Sequence, residues 1–360
     1  MKSHHPSSTP WQIRLPSPEE LLDQLPADSA MQAAIARARD EIRRIIHGID
    51  DRLLVIAGPC SIHDPAAALD YARRLCRLRT ESRDRMMIVM RCYLEKPRSV
   101  VGWKGLINDP LLDGSCEIGQ GLHTARRLLI DISAMGMPVG MEFLDPLAAP
   151  YLADLVSWAA VGARTVESQV HRELASGLPM PAGFKNGMSG CVDAGINAIV
   201  AAKRHHSHMS IDSAGRVCAV RAPGNPDGHL VLRGGRHGAN CDATTILSAV
   251  QRMRDRGIHP AIIVDCSHMN CDRDPERQID VWDHVLELKR EGIPGIIGMM
   301  IESNLRAGKQ PVSAISEMEY GVSITDPCLG WEKTERLLRA VNQLARLYNP
   351  LISAPKSVIR

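Results

Sequence analysis

The sequence predicts an α/β fold, a closed (βα)8 TIM barrel with an N-terminal helical arm extension and an inserted β-hairpin. Three observations lead there. Short, almost wholly apolar runs recur along the chain, as strands do when both faces of a parallel sheet are covered. Amphipathic stretches of helical period separate them, and the repeat count suits a closed barrel better than an open doubly wound sheet. No GxGxxG follows the first run, which weakens a nucleotide-binding reading.

Residues 1 to about 17 are polar and Pro-rich and read as an arm. Ser17-Pro18-Glu19-Glu20 then has a capping serine, a proline suited to the first helical position and acids for the first turn. A second helix, 31–46, places Ala34, Ile35, Ala38, Ile42, Ile45 and Ile46 at helical spacing. Residues 1–50 form an arm and helices that are not needed to close eight strands, and by themselves read as a tail with a cap on the barrel bottom. The barrel is assigned to 51–348 and a tail to 349–360. Strand candidates are 53–58, 86–93, 138–143, 158–164, 181–186, 208–212, 229–235, 261–267 and 295–303, one too many for eight. The Pro-Asn-Gly chemistry of VCAVRAPGNPDGHLVL marks an inserted antiparallel hairpin within about 208–233, which takes up the surplus.

The chain has 360 residues, 44% hydrophobic and 23% charged, with a formal net charge of +2. That balance gives no global attraction to nucleic acid or to an anionic membrane, so any anion must be held by local Arg and Lys. There is no run of roughly 18 apolar residues to span a bilayer. The segment MKSHHPSSTPWQIRLPSPEE lacks the apolar centre of a signal peptide. Ten cysteines without a CxxC pair suit reduced thiols, and the expectation is a cytoplasmic protein.

The ends of the runs carry the chemistry. Cys60 follows the first, Arg91 and Lys96 follow the second, and Glu142 ends the third. Arg164 ends the fourth, Lys185 the fifth, Arg233 precedes a Gly-Gly pair, His268 follows the next and Glu302 ends the last. A barrel gathers all C-terminal strand ends on one face. Five cations there exceed the acids, and half-buried cations are costly without a counter-charge. Two phosphorylated substrates, one also a carboxylate, would supply it, and planar Arg forks suit both groups bidentately. Any one of these arginines alone is equally consistent with a solvated side chain. Cys60, His268, Glu302 and Asp326 offer a thiolate, an imidazole and two carboxylates, a set suited to Mn, Fe, Co or Zn ions. Taken singly, Cys60 reads as a buried hydrophobe and His268 as a core or loop histidine.

Eight segments read together like one family: GPCSIHDP (58–65), EKPRSVVGWKGLINDP (95–110), GARTVESQVHRELASGL (162–178), GFKNG (183–187), LRGG (232–235), DCSHMN (265–270), IES (301–303) and SITDPCLGWE (323–332). The sequence closely resembles the class I 3-deoxy-D-arabino-heptulosonate 7-phosphate synthases of the feedback-regulated microbial type, from about Leu15 to Leu347. The resemblance implies one divalent metal ion per subunit on Cys60, His268, Glu302 and Asp326. It implies that Arg91 and Lys185 hold the carboxylate of phosphoenolpyruvate, and Arg164 and Arg233 its phosphate. Lys96, Pro97, Arg98 and Ser99 match the segment that meets erythrose 4-phosphate, with Ser99 where most relatives have threonine.

The implied reaction condenses the two substrates with water, with Lys96 as proton donor and Glu142 or His268 assisting the water. Clustered cations are expected to depress the Lys96 pKa. Cys328, two residues past Asp326, is expected near Cys60, so metal-free protein should lose activity and titratable thiols in air. Equal stability of apo and metal-loaded activity would remove that expectation. The resemblance further implies a homodimer or homotetramer whose arm helps form an aromatic amino-acid site. Ala149, Pro179 and Ser210 stand at positions lining that site in relatives, and the residues there and in SITDPCLGWEKTERL favour tryptophan, then phenylalanine. Three rival readings remain. They are a Schiff-base aldolase using Lys185, an octulosonate synthase using arabinose 5-phosphate, and a non-catalytic barrel that senses an amino acid.

Overall fold

The computed structural model describes residues 12–98 and 100–343. The first eleven residues of the arm, Ser99 and everything after 343, including the 349–360 tail, lie outside the described residues.

Two helices precede the barrel. In α1 (Pro18–Gln24) the Ser17 hydroxyl accepts from the Glu20 amide, and the Glu20 carboxylate accepts from the Ser17 amide at 2.6 Å. This reciprocal cap starts the helix where the sequence signals it. The longer α2 (Ser29–Ile46) turns Ala38, Ile42, Ile45 and Ile46 onto the inward-facing Leu54, Ile56, Met87, Val89 and Trp158. It therefore closes the N-terminal mouth of the barrel. Polar ties hold it there: the Arg39 guanidinium donates to the carbonyls of Ala153 and Val156, and Arg43 and His47 both engage Asp227 at 2.7 and 2.9 Å.

Eight parallel strands close the barrel in the order β1 (Leu53–Gly58), β2 (Met86–Arg91), β3 (Val139–Glu142), β4 (Trp158–Val161), β5 (Ala182–Lys185), β8 (Gly228–Leu232), β9 (Ile262–Asp265) and β10 (Ile296–Glu302), which pairs back onto β1. Every residue of these strands is buried, the physical reason their sequences are continuous rather than alternating. The outer layer contains α3 (Pro65–Glu81), α4 (Ile118–Ala134), the short α5 (Ala149–Leu152), α6 (Gln169–Gly177), α7 (Val192–Ala202), α8 (Ala243–Asp255), α9 (Arg277–Arg290) and α10 (Trp331–Gln343).

The inserted hairpin pairs β6 (His206–Ile211) with β7 (Val217–Ala222). Its turn differs from the expected one. It runs through Asp212-Ser213-Ala214-Gly215, with Gly215 at φ +77° and the Asp212 carboxylate accepting from the Arg216 amide. The Pro-Asn-Gly stretch instead leads into β8, where Asn225 is buried and donates to the carbonyls of Ala175 and Met180. Asn and Gly there serve a tight, buried entry to a strand, and turn chemistry alone does not separate the two uses. The tip is fastened to the start of α1, since the Glu19 amide donates to the Ser213 carbonyl at 2.8 Å.

Asp227 gives the first testable consequence. Burial alone would raise its pKa, but hydrogen bonds from His47 and Arg43 outweigh burial and hold it below the ordinary value. A depressed carboxylate contributes stability that is fully present above its unfolded pKa and lost as pH falls through the folded one. Asp227→Asn should cost about 1–2 kcal/mol at neutral pH, the worth of charge-assisted bonds to partly exposed partners. In urea titrations the gap from wild type should stay constant above roughly pH 5 and shrink below about pH 4. A gap that widens in acid would contradict this.

Candidate active site

The C-terminal strand ends do converge. They line a cleft of about 230 Å3 whose walls include Arg91, Lys96, Arg98, Arg164, Lys185, Arg233 and Arg273, against Glu142 and Asp326. Seven cationic side chains against two lining carboxylates fit a site for a polyanion. Asp265 and Glu302 lie beneath, both buried.

The cations are held from below. Arg91 is completely buried, with its Nη2 donating to Glu302 Oε1 at 2.8 Å and to the Cys60 carbonyl at 3.2 Å, while Nε donates to the Pro59 carbonyl. Its guanidinium lies 3.4 Å from the centre of the Tyr93 ring, which also faces Lys96 and Lys185 at 5.7 and 5.9 Å. Lys185 donates to Asp265 Oδ2 at 3.0 Å. Burial would raise the Asp265 pKa, but Lys185 and His268 hold it well below the carboxylate range. Arg233 is less well matched: its Nη1 is buried with no hydrogen-bond partner among the described residues, and burial pulls its pKa below the usual arginine value. A buried guanidinium N–H without an acceptor is costly unless a ligand supplies one.

Three asparagines set the height of this floor. Asn186 donates to the Gly187 and Gly234 carbonyls and accepts from the Arg233 amide, Asn240 accepts from the Gly234 amide, and Asn270 donates to the Leu232 and Asp265 carbonyls. They lock the ends of β5, β8 and β9 together. Gln278 does the same for β10 by pairing with both backbone groups of Glu302. Glu142 packs against Gly162, where a Cβ would displace its carboxylate, and its Oε1 is buried without a hydrogen-bond partner among the described residues.

Cys60, Glu302 and Asp326 bring one ligand atom each to within 4.8 Å of one another. His268 stands beside them, with Nε2 3.6 Å from Glu302 Oε1. Its Nδ1 faces Asp265 at 3.0 Å and the Ser267 hydroxyl at 2.7 Å, the arrangement that fixes a ligating imidazole with its other nitrogen outward. Its backbone is left-handed at φ +59°, uncommon for a non-glycine residue and characteristic of functional sites. Burial, then the Glu302 charge, push the Cys60 thiol above its ordinary pKa. A buried thiol and a buried carboxylate facing the exposed Asp326 carboxylate fit a divalent cation, which would take the proton's place on sulfur. Cys328 is adjacent as expected, its Sγ accepting from the Cys60 amide at 3.4 Å.

Two expectations need correction. Lys96 is not depressed. Desolvation and Arg91 act that way, but Cys60, Glu302 and Asp326 outweigh them and hold the ammonium above its usual pKa; its Nζ donates to Cys60 Sγ at 3.1 Å. Strand-end counting also undervalued the acids, since Asp265 ends β9 inside an apolar run and was passed over. Tyr93, Arg273 and the asparagines were missed too. Their one sequence signal is position, on the loop that follows a strand. Arg164 lies past the end of β4 in the following loop. Among the positions proposed for an effector, Ala149 starts α5 and is buried. Ser210 is half-buried on β6, a strand that packs against the 3-10 turn Pro146–Ala148. Pro179 is exposed, its carbonyl accepting from Arg43.

Fold and site together define a closed α/β barrel with a cation-lined cleft beside a candidate metal centre. Residues 27–339 match the model of the DAHP synthetase I family. The chain is 49% identical over 330 residues to the Tyr-sensitive phospho-2-dehydro-3-deoxyheptonate aldolase of Escherichia coli K12, covering 91% of this chain and 92% of that one. It is 47% identical over 322 residues to a Trp-sensitive one from Enterobacter agglomerans, covering 89% and 92%. The solved structure of phospho-2-dehydro-3-deoxyheptonate aldolase from Francisella tularensis SCHU S4 superposes with a TM-score of 0.90 at 41% identity, covering 93% of this chain and 97% of that one. The chain belongs to the DAHP synthetase I family.

Proposed function

We propose that the chain condenses phosphoenolpyruvate, erythrose 4-phosphate and water to 3-deoxy-D-arabino-heptulosonate 7-phosphate and inorganic phosphate. The observation that carries this reading is the cation-lined cleft with the partnerless Arg233 N–H at its wall. Arg91 and Lys185 hold the phosphoenolpyruvate carboxylate; Arg164 and Arg233 hold its phosphate, and Arg98 with Ser99 the phosphate of the aldehyde. A single Mn, Fe, Co or Zn ion on Cys60, His268, Glu302 and Asp326 supplies Lewis-acid polarisation of the aldehyde oxygen when bound. The C3 carbon of phosphoenolpyruvate attacks the aldehyde carbon, and Lys96, held as an ammonium by the acids around it, protonates the new alkoxide. Water adds to C2 with its proton passing to Glu142, since both ring nitrogens of His268 are engaged, and the hemiketal phosphate expels inorganic phosphate to leave the ketone. The rigid cations fix both substrates and need little reorganisation as charge moves.

The Schiff-base alternative is poorly supported, because Lys185 is buried in an ion pair with Asp265. Borohydride with substrate should give no adduct on this lysine. The phosphate role of Arg233 predicts that Arg233→Met raises the KM for phosphoenolpyruvate by about 10- to 100-fold, the worth of charge-assisted hydrogen bonds, with a smaller change for erythrose 4-phosphate. Equal effects on both would reassign it.

Regulation by an aromatic amino acid fits the segment between α5 and β6. The Tyr151 hydroxyl donates to the Pro16 carbonyl, and Glu19 holds the hairpin tip, so the arm spans both candidate walls. The Tyr-sensitive and Trp-sensitive relatives are nearly equal in identity to this chain, so overall likeness does not choose the effector. Ala149, Pro179, Ser210 and the run SITDPCLGWEKTERL keep tryptophan, then phenylalanine, as the order in which to test. Met209 and Val217 project from the hairpin's outer face, 84% and 79% exposed, which supports a homodimer or homotetramer.

A further inference from the structure

At the opposite end of the barrel from the cleft, a groove of about 200 Å3 opens between α2, the last turns of α3 and α4, and the feet of β3 and β4. Ala34, Ile35 and Met137 give it an apolar wall. Among the described residues, the hydroxyls of Ser133 and Ser157 are buried with no hydrogen-bond partner, at 8% and 0% exposure, and so is the Nε of Arg79. The one carboxylate at the rim, Glu41, already accepts from Arg52 at 2.9 Å. Buried hydroxyls and guanidinium N–H groups are rarely left unmatched, and each deserves a partner. The nearest charge complement would be an anion, and the apolar wall would suit a short hydrocarbon body beside it.

We propose that this groove is a second binding site, for a small carboxylate with a short apolar body. Arg79 and the two serine hydroxyls take the carboxylate, and the alkyl part lies along Ala34, Ile35 and Met137. The site is separate from the anion cleft and does not depend on the reaction assigned there. Its occupant would bridge α2 to the barrel wall next to the bonds Arg39 already makes to Ala153 and Val156. Ser157 directly precedes Trp158, the first residue of β4. Binding therefore fastens the closing helix to the barrel and raises the melting temperature by mass action.

The test titrates the whole protein with sodium isovalerate, and in a second arm with L-leucine, which has the same body with an added ammonium. Saturation-transfer NMR reads binding, and thermal melting reads its effect on stability. Isovalerate should bind and raise Tm. Ser157→Ala should weaken binding by about tenfold and Arg79→Gln by more, as loss of hydrogen bonds to a charged group predicts. Ala34→Phe, which places a ring in the groove, should abolish it. Leucine binding as well would identify amino acids as the source of the carboxylate, with Glu41 meeting the ammonium. No binding of either at millimolar concentration means that the groove holds water only and overturns the proposal. Binding unchanged by both Arg79→Gln and Ala34→Phe, in variants whose circular dichroism matches wild type, overturns it equally.

Discussion

Lys96→Met is expected to lower kcat by about a thousandfold, within the range general-acid groups contribute, while the KM for phosphoenolpyruvate changes little. In the proposed mechanism this side chain is the proton donor, and its Nζ lies 3.1 Å from Cys60 Sγ. Cys60, then Glu302 and Asp326, outweigh burial and hold its pKa above the ordinary lysine value, so it would enter the reaction protonated. The raised pKa makes it a slower donor than a depressed lysine would be, and that cost is offset by certainty of protonation at neutral pH. Arginine at this position should not rescue, since it cannot release a proton near neutral pH and does not match a lysine's reach. A kcat within tenfold of wild type would remove Lys96 from the proton transfer. A raised KM with kcat intact would make it a binding residue only.

The second large effect is on stability. Glu302→Gln keeps the shape of the side chain but removes the only carboxylate that hydrogen-bonds Arg91 among the described residues. Arg91 is 0% exposed, so its charge would remain in the interior without a full counter-charge. Breaking such a pair from one side costs about 3–5 kcal/mol. Urea unfolding in the presence of a chelator should therefore show a lower midpoint with an unchanged slope. Loss of a ligand should also weaken retention of a divalent ion. An unchanged midpoint would mean that Tyr93 and the carbonyls of Pro59 and Cys60 satisfy Arg91 unaided.

The barrel was legible because its strands are buried on both faces, so each appears as an apolar run that a polar loop must interrupt. The floor helix was equally legible, from the spacing of Ala38, Ile42, Ile45 and Ile46. The hairpin was seen but its turn was misplaced, since Pro-Asn-Gly serves strand entry as well as reversal. Among site residues, those that break an apolar run with a charge stood out, Arg91 and Glu302 above all. Asp265 did not, because its neighbours Val264 and Cys266 continue the run. Tyr93 and Asn186 carry no charge to betray them, and their roles depend on contacts across strands far apart in sequence. The candidate metal ligands are irregularly spaced for the same reason: Cys60, His268 and Asp326 stand on different loops and Glu302 ends β10, and barrel closure brings them together.

The central claim is the condensation itself. Protein loaded with a divalent ion would be mixed with phosphoenolpyruvate and erythrose 4-phosphate, following the loss of phosphoenolpyruvate absorbance, with parallel arms carrying arabinose 5-phosphate, a chelator and each aromatic amino acid. The account predicts consumption with erythrose 4-phosphate alone, abolished by the chelator and slowed by one of the amino acids. Consumption only with arabinose 5-phosphate would contradict the substrate assignment, and none with any divalent ion would leave a ligand-binding barrel in place of an enzyme.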